Sequence, residues 1–195
     1  YVDSSRAYII PANTFLYPDG YIQLPVSVKI DLPARWNKIA TGLDPVNAKT
    51  NEYTASDFDI LYDCPILIGD LEELPSFKVK GIEHRFIGYH IGQFDRTLFM
   101  DKLNKVVTSA INIIGDIPYK QYTFIAIGPG RGGIEHLNNT SFGFDGSQLN
   151  TPEAVTRVLN FLAHEYFHHY NVKRIRPFEL GPFDYDQGSR TNLLW

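Results

Sequence analysis

The sequence predicts an α+β protein in which a β-rich N-terminal domain, residues 1–92, precedes a mixed second domain, residues 93–195. Two observations lead to this prediction. The first half contains alternating apolar residues separated by turn-rich stretches, and no long segment of it has helical periodicity. The second half contains two long amphipathic segments, each opened by a helix-capping residue. We expect the first domain to be antiparallel and β-sandwich-like.

The clearest strand pattern lies in residues 22–32. Apolar side chains occupy every second position, namely Ile22, Leu24, Val26, Val28, Ile30 and Leu32. This alternation is typical of a strand with one buried face. Pro25 has no amide hydrogen to donate to a ladder, so we expect an edge strand.

The second domain begins with a predicted helix. Apolar residues recur with helical spacing from Asp95, the expected N-cap, to Gly115, the expected end. A strand is predicted over residues 122–127. A glycine-dense turn over residues 128–133 then leads into an exposed strand over residues 134–138.

A second helix is predicted farther along the chain. Thr151 is a suitable N-cap, and Pro152 occupies the first helical position, where its missing amide hydrogen costs nothing. Pro177 prevents continuation, so we expect the helix to run to about Lys173.

This second helix contains the segment His164-Glu165-Tyr166-Phe167-His168. Histidines four residues apart lie one turn apart on one helical face, so both imidazoles can bind one tetrahedral Zn²⁺ ion. A glutamate beside them can take a proton from a water molecule that attacks a carbonyl. This HExxH arrangement predicts His164 and His168 as metal ligands and Glu165 as the catalytic base. Cys64 is the only cysteine, so histidines and carboxylates must hold the metal.

A catalytic zinc ion needs a third protein ligand. Asn171 and Arg174 occupy positions where the metzincin pattern requires glycine and histidine, so that pattern is excluded. Glu179, Asp184 and Asp186 follow, but their loop setting favours turn roles. We therefore favour a ligand beyond residue 195 and expect residues 1–195 alone to bind zinc weakly.

The segment Gly132-Gly133-Ile134-Glu135-His136 is the predicted substrate-binding element. Glycines such as Gly132 and Gly133 allow a backbone to approach a ligand closely, and an exposed strand can pair with an extended peptide. Glu135 could then hold the free α-amino group of that peptide. A glycine turn before an edge strand is also common in ordinary hairpins.

Charge and hydropathy exclude other partner classes. The net charge of -4 and a pI near 5.8 provide no basic field, so we expect no nucleic-acid partner. No apolar run approaches the roughly 18 residues that span a bilayer, so a soluble chain without a transmembrane segment is expected. Met100 is the only methionine, and both termini lie in sequence of folded type, which indicates a piece of a longer protein.

Beyond the HExxH motif, residues 164–168, 171–177 and 180–185 closely resemble the glycyl aminopeptidase family of gluzincin metallopeptidases. Residues 132–136 resemble the Gly-Ala-Met-Glu-Asn exopeptidase motif of related aminopeptidases, although isoleucine and histidine replace its methionine and asparagine. The first half is similar to the family's β domain more diffusely.

The resemblance implies a thermolysin-like (zincin) catalytic domain after a β domain. It also implies a zinc aminopeptidase that releases N-terminal residues, preferably glycine or alanine, from peptides with a free N-terminus. In that family the third zinc ligand is a glutamate shortly after a tryptophan similar to Trp195, so residues 1–195 would be an inactive fragment. Family members occur inside cells and as exported proteins, so either compartment agrees with the resemblance.

Two alternatives remain open. A zinc endopeptidase of the same metal type would cleave N-terminally blocked peptides, which a glutamate that anchors an amine should not tolerate. A non-catalytic peptide-binding module would use the β domain and the exposed strand and would retain a vestigial metal site. The presence of Glu165 beside both histidines favours an enzyme, because a binding module has no use for a base there.

Overall fold

The computed structural model describes residues 1–47, 49–181, 183–185, 188 and 191–193. In this part of the chain the strands, in order, are β1 Arg6–Ile9, β2 Val26–Lys29, β3 Lys38–Thr41, β4 Asp44–Asn47, β5 Glu52–Ala55, β6 Ile66–Gly69, β7 Glu72–Glu73, β8 Phe77–Val79, β9 Ile82–Gly88, β10 Gln121–Gly128, β11 Gly133–Glu135 and β12 Asn139–Gly143. The helices are α1 Phe58–Tyr62, α2 Arg96–Ile114 and α3 Pro152–Phe167.

Two antiparallel sheets form the N-terminal part of the fold. One has the strand order β1-β6-β3 and the other β2-β5-β4. Side chains from both sheets meet in one buried cluster, which includes Ala7, Val28, Ile39, Ala55 and Ile68. The packing is therefore that of two face-to-face layers, and the prediction of an α+β protein with antiparallel N-terminal sheets is confirmed.

The strand predicted over residues 22–32 is shorter in the structure. It contains only β2, because the preceding residues form a turn in which the Leu24 amide donates to the Tyr21 carbonyl at 3.2 Å. The sequence alternates through that turn, and periodicity alone does not separate a turn from a strand. Within β2 the expected alternation holds, with Val28 buried and Lys29 exposed, and β2 does lie at a sheet edge.

A six-stranded mixed sheet follows. Its order is β11-β12-β10-β9-β7, with β8 also paired to β9. Strands β9 and β10 are parallel, and α2 provides the crossover between them. Because β7, β8 and β9 belong to this sheet, it extends across the division predicted at residue 92. That division stays a prediction.

Both long helices begin at the predicted caps. The Asp95 carboxylate accepts from the Leu98 amide at 2.9 Å, and the Thr151 hydroxyl accepts from the Ala154 amide at 3.2 Å. Helix α2 ends at Gly115, whose φ of 88° is the left-handed conformation that glycine tolerates best. In the described residues, no helix is both long enough and apolar enough to cross a bilayer.

Helix α3 ends at Phe167, six residues before the predicted end at Lys173. From His168 to Tyr170 the amides donate to carbonyls three residues back instead of four. The ring of His169 contributes to this change, because its Nδ1 lies against the Tyr166 carbonyl that a continuing helix would use for the Tyr170 amide. The last histidine of the HExxH motif therefore caps the helix.

The layers place α3 beside the free edge of the large sheet. One sheet face packs on α2 and α3 through a large apolar cluster that includes Phe86, Phe124 and Leu162. The other face packs on the sheet β1-β6-β3, where Leu67 meets Ile125. Strand β11 is the edge strand nearest α3. The HExxH helix and the predicted substrate strand thus lie side by side.

A buried histidine lies in the aromatic core between the sheet and the helices. His84 Nε2 lies 2.9 Å from the Tyr119 hydroxyl, and His84 Nδ1 lies 3.1 Å from the Ile82 carbonyl. Its ring stacks on Phe77. Burial lowers the pKa of His84 to about 4, because the charged imidazolium loses hydration there. His84 is therefore a neutral core residue at physiological pH.

His84 should make the fold sensitive to mild acid. Its pKa is about 4 in the folded protein against 6.5 for a histidine side chain in the unfolded chain, so the unfolded chain binds more protons between these values and the fold loses stability as the pH falls. Between pH 7 and pH 5 we expect His84 to lower the free energy of unfolding by about 2 kcal/mol. Urea unfolding of the wild type and of His84→Gln at both pH values checks this. An equal loss in the two proteins would contradict it.

Candidate active site

The two motif histidines lie at the C-terminal end of α3, and their side chains meet. His164 Nε2 and His168 Nε2 are 3.1 Å apart. Two nitrogens bound to one tetrahedral zinc ion at ~2.0–2.1 Å lie roughly 3.4 Å apart, so the observed separation is close to that of a ligand pair. The structure brings His164 and His168 together as the sequence predicted.

The hydrogen bond of His168 determines which of its nitrogens can bind a metal. Nδ1 lies 2.7 Å from the Asn171 carbonyl oxygen, which can only accept, so Nδ1 carries the proton. In a neutral ring, Nε2 then presents its lone pair toward His164. This is the usual arrangement in metal-binding histidines, where a backbone carbonyl fixes the tautomer.

Glu165 is buried and lies beside a second carboxylate. Oxygens of Glu165 and Glu135 and a ring nitrogen of His168 all lie within 4.8 Å of one another. Burial raises the pKa of Glu165, and the nearby Glu135 carboxylate raises it further. His164 and His168 act in the opposite direction. The arrangement combines a basic carboxylate, a second anion and two imidazoles, a donor set that fits a zinc ion.

Strand β11 presents unpaired backbone groups at the free edge of the sheet. The Gly132 carbonyl accepts from the Gly143 amide at 3.0 Å, and the His136 amide donates to the Asn139 carbonyl at 3.0 Å. In an antiparallel ladder these inward bonds recur at every second residue. The amide and carbonyl groups of Gly133 and Glu135 therefore point away from β12, where an extended peptide can pair with them.

Two glycines allow the close approach of this strand to α3. A Cβ atom on Gly133 would lie 2.8 Å from the Phe161 ring, so no larger residue fits there without movement. Gly132 has a φ of 80°, which side-chain-bearing residues rarely adopt. Glu135 lies two residues after Gly133 and projects from the same face of the strand, toward α3 and Glu165.

Asp63 directly follows α1. Its carboxylate forms hydrogen bonds both with residues that follow β11 and with the segment that follows α3. Its Oδ2 accepts from the Leu137 amide at 2.8 Å, and its Oδ1 lies 3.1 Å from His136 Nδ1 and 2.7 Å from Lys173 Nζ. Burial would raise the pKa of Asp63, but the hydrogen bond from His136 and the charge of Lys173 outweigh it and lower the pKa. Asp63 thereby joins the residues after Glu135 to the segment after α3.

This contact could not be predicted from the sequence, because Asp63 lies 73 residues from His136 and 110 residues from Lys173. Each residue by itself resembles an ordinary surface side chain in the sequence. The contact of the Phe161 ring with Gly133 was likewise not predicted. Phe161 lies three residues before His164 on the same helix, and this spacing places the two side chains on one helical face.

Asp63→Asn should weaken both the fold and the site. The substitution keeps the size of the side chain but leaves Lys173 without its charge partner, so we expect the free energy of unfolding to fall by about 2 kcal/mol. We expect the catalytic efficiency of the full-length protein to fall about tenfold, a typical result of a small displacement of positioning elements. Urea unfolding and peptide hydrolysis measure the two effects.

A double-mutant cycle with Lys173→Gln controls for general damage. The combined Asp63→Asn and Lys173→Gln variant should recover part of the lost stability, because no unpaired ammonium group remains. Additive losses in stability would contradict a direct interaction.

The other ligand candidates lie elsewhere. Glu179 is exposed in a short 3₁₀ turn, and Asp184 is exposed. Among the described residues, the one group of three or more metal-ligand side chains consists of Glu135, Glu165 and His168. Asp186 and Trp195 lie outside the described residues. His169 is completely buried among aromatic rings and is not at the surface.

Comparison with known families gives two matches. The Peptidase M61 N-terminal domain matches residues 1–70, and M61 glycyl aminopeptidase matches residues 157–195. Together these two models of one family cover more than half of the chain. Both matches are therefore to models of M61 peptidases. The second match, to M61 glycyl aminopeptidase, includes His164, Glu165 and His168, so the resemblance predicted from the sequence is confirmed.

A solved structure with a similar fold is the crystal structure of an aminopeptidase N family protein from Idiomarina loihiensis. It has a TM-score of 0.92 and 27% sequence identity to this chain. The similarity covers 100% of this chain and 35% of that chain, so this chain spans about a third of that protein's length. The comparison with curated proteins found no match.

Proposed function

We propose that the full-length protein is a zinc-dependent aminopeptidase. His164 and His168 hold the zinc ion, Glu165 is the catalytic base, and Glu135 anchors the free α-amine of the peptide. The observation that carries this proposal is the convergence of the Glu135 and Glu165 carboxylates on His168, within 4.8 Å. By resemblance to the family, the released residue is preferably glycine or alanine.

Two imidazoles do not complete a catalytic zinc site. When bound, zinc polarises the scissile carbonyl group and makes water acidic enough to attack at neutral pH. We propose that its third protein ligand lies outside the described residues, because Glu135 and Glu165, the carboxylates near His168 in the described part of the chain, have other roles. On this proposal the described residues by themselves bind zinc weakly and do not catalyse hydrolysis.

Glu165 moves the proton in the proposed reaction. Its carboxylate takes a proton from the attacking water and returns it to the nitrogen of the leaving amine when the peptide bond breaks. Its burial favours this role, because a raised pKa brings a carboxylate closer to the pH at which it must accept and release a proton.

Glu135 and the hydrogen bonds of the residues that follow β11 support exopeptidase specificity. An extended peptide that pairs with the free backbone groups of Gly133 and Glu135 has its α-ammonium group near the Glu135 carboxylate. Beyond Glu135, the strand turns into His136 and Leu137, which Asp63 holds against the N-terminal sheets. The Leu137 amide is therefore not free to pair with residues that would precede the anchored amine.

Hydrolysis of matched peptides tests the proposal. The full-length protein is expected to release alanine and glycine from alanyl and glycyl amides, to lose this activity with a zinc chelator, and to leave N-acetylated versions intact. Cleavage of the acetylated peptides would instead identify an endopeptidase. Peptide binding without chelator-sensitive cleavage would identify a non-catalytic module and would overturn the proposal.

A further inference from the structure

A cavity of about 470 Å³ lies beside the glycine turn, between this turn and the first half of α3. Its walls include Arg131, Phe142, Arg157 and Phe161. It does not contain Glu135, Glu165 or either motif histidine. The proposed mechanism therefore does not use this cavity, although it adjoins Gly132 at the start of the substrate strand.

The polarity of the peptide relates this cavity to the substrate. If Glu135 anchors the amine, as proposed above, a peptide that pairs antiparallel with β11 runs from Glu135 past Gly133 toward Gly132 and Arg131. A parallel peptide would run toward Leu137, whose amide already donates to Asp63 and is therefore not free to pair with it. The part of the peptide that leaves after cleavage is thus directed into the cavity.

Two arginines give the cavity a positive charge. Arg131 and Arg157 are both exposed, and neither forms an ion pair with the residues that the structure describes. The carboxylate in the same wall, Asp145, accepts from the Ser147 amide and hydroxyl and from the Gln148 side chain, so three of its about four acceptor sites are used within its own turn. One carboxylate against two guanidinium groups leaves the cavity with a net positive charge. Guanidinium groups bind carboxylates with paired, charge-assisted hydrogen bonds.

The distance along β11 from Glu135 to Arg131 determines how long a peptide must be to reach the cavity. Extended peptide advances ~3.4 Å per residue, so a peptide anchored at Glu135 reaches the level of Arg131 after about three or four residues. A tripeptide therefore brings its terminal carboxylate to the mouth of the cavity. The apolar wall formed by Phe142 and Phe161 lies between this point and the zinc ligands and suits the side chain that follows the scissile bond.

We infer that the cavity is a subsite for the departing part of the peptide, in which Arg131 and Arg157 bind a carboxylate. Resting on the proposed aminopeptidase function, this inference adds a substrate class, namely short peptides that carry a negative charge about three residues from the N-terminus. The charge comes either from the C-terminal carboxylate of a tripeptide or from an acidic side chain in a longer peptide.

Three substrates distinguish these sources in the full-length protein. They are Ala-Ala-Ala with a free C-terminus, Ala-Ala-Ala amide and Ala-Ala-Asp amide. We expect kcat/KM for the free acid to exceed that for the neutral amide about tenfold, the factor that one charge-assisted interaction provides. If Ala-Ala-Asp amide matches the free acid, the subsite also accepts an acidic side chain.

Arginine variants test whether the preference for the free acid over the amide depends on this cavity. Arg131→Gln and Arg157→Gln should each lower the ratio of acid to amide, and the double variant should abolish it while cleavage of the amide is kept. Lys78→Gln is the matched control, because Lys78 is an exposed cation on β8, away from β11. Retained cleavage without an acid preference, or a preference that survives both arginine substitutions, would overturn the inference alone. If the wild-type protein cleaved none of the three substrates, the proposed function would be overturned as well.

Discussion

Glu165→Gln is expected to lower peptide hydrolysis by the full-length protein about 10²- to 10⁴-fold, the range that a positioned acid–base group contributes. The amide keeps the size of the side chain but cannot accept the proton of the attacking water. Because His164 and His168 are the proposed zinc ligands, the variant should still bind one zinc ion per chain. Steady-state kinetics and metal analysis measure the two quantities separately.

Glu153→Gln provides the control for this variant. Glu153 is an exposed glutamate in the first turn of the same helix, far from the motif histidines along α3. It should leave both hydrolysis and zinc content unchanged. Full activity of the Glu165→Gln protein would show that another group is the base, and loss of zinc from it would show that Glu165 is itself a ligand.

Glu135→Gln is the second large expected effect. Removal of the anchoring charge should lower kcat/KM for peptides with a free α-amine roughly 10- to 150-fold, which corresponds to the loss of one hydrogen bond between charged groups. The reason is that the ammonium group of the substrate loses its counter-ion in a partly buried site. The slow reaction with N-acetylated peptides should change little, so selectivity between free and blocked peptides should fall.

Glu179→Gln is a suitable comparison for Glu135→Gln. Glu179 was one of the ligand candidates in the sequence, but it is exposed in a short turn. Its substitution should alter neither selectivity nor zinc binding. Equal losses of activity on free and acetylated peptides in Glu135→Gln would contradict amine anchoring and would favour a role for Glu135 at the metal.

The sequence predicted those parts of the site that depend on local physics. The caps Asp95 and Thr151 determine where the two long helices begin, and a spacing of four residues is sufficient to bring His164 and His168 together. An edge strand after the glycine turn also followed from local signals, since glycines and polar alternation mark such strands.

The features that could not be predicted from the sequence depend on tertiary contacts. The end of α3 is set by the buried ring of His169, which competes for the Tyr166 carbonyl, whereas helical periodicity continues past it. The role of Asp63 arises from three partners distant in the chain. Neither local propensity nor spacing carries information about such contacts, because they form only when separate layers of the fold pack together.

The large sheet contains strands from both sides of the point where the periodicity of the sequence changes. The change from strand-like to helix-like sequence at Gly92 suggested a domain division there. Strand β9 precedes this point and yet pairs with β10, because α2 forms a crossover that returns the chain to the same sheet. The change of periodicity marks the change of secondary structure, and the division into domains at residue 92 stays a prediction.

Anomalous X-ray diffraction at the zinc absorption edge, from crystals of the full-length protein grown with zinc, tests the central claim most directly. We expect one strong anomalous peak within bonding distance of both His164 Nε2 and His168 Nε2, with the Glu165 carboxylate beside it but not bonded to the metal. No peak between these two rings, or a zinc ion held elsewhere in the chain, would contradict the account.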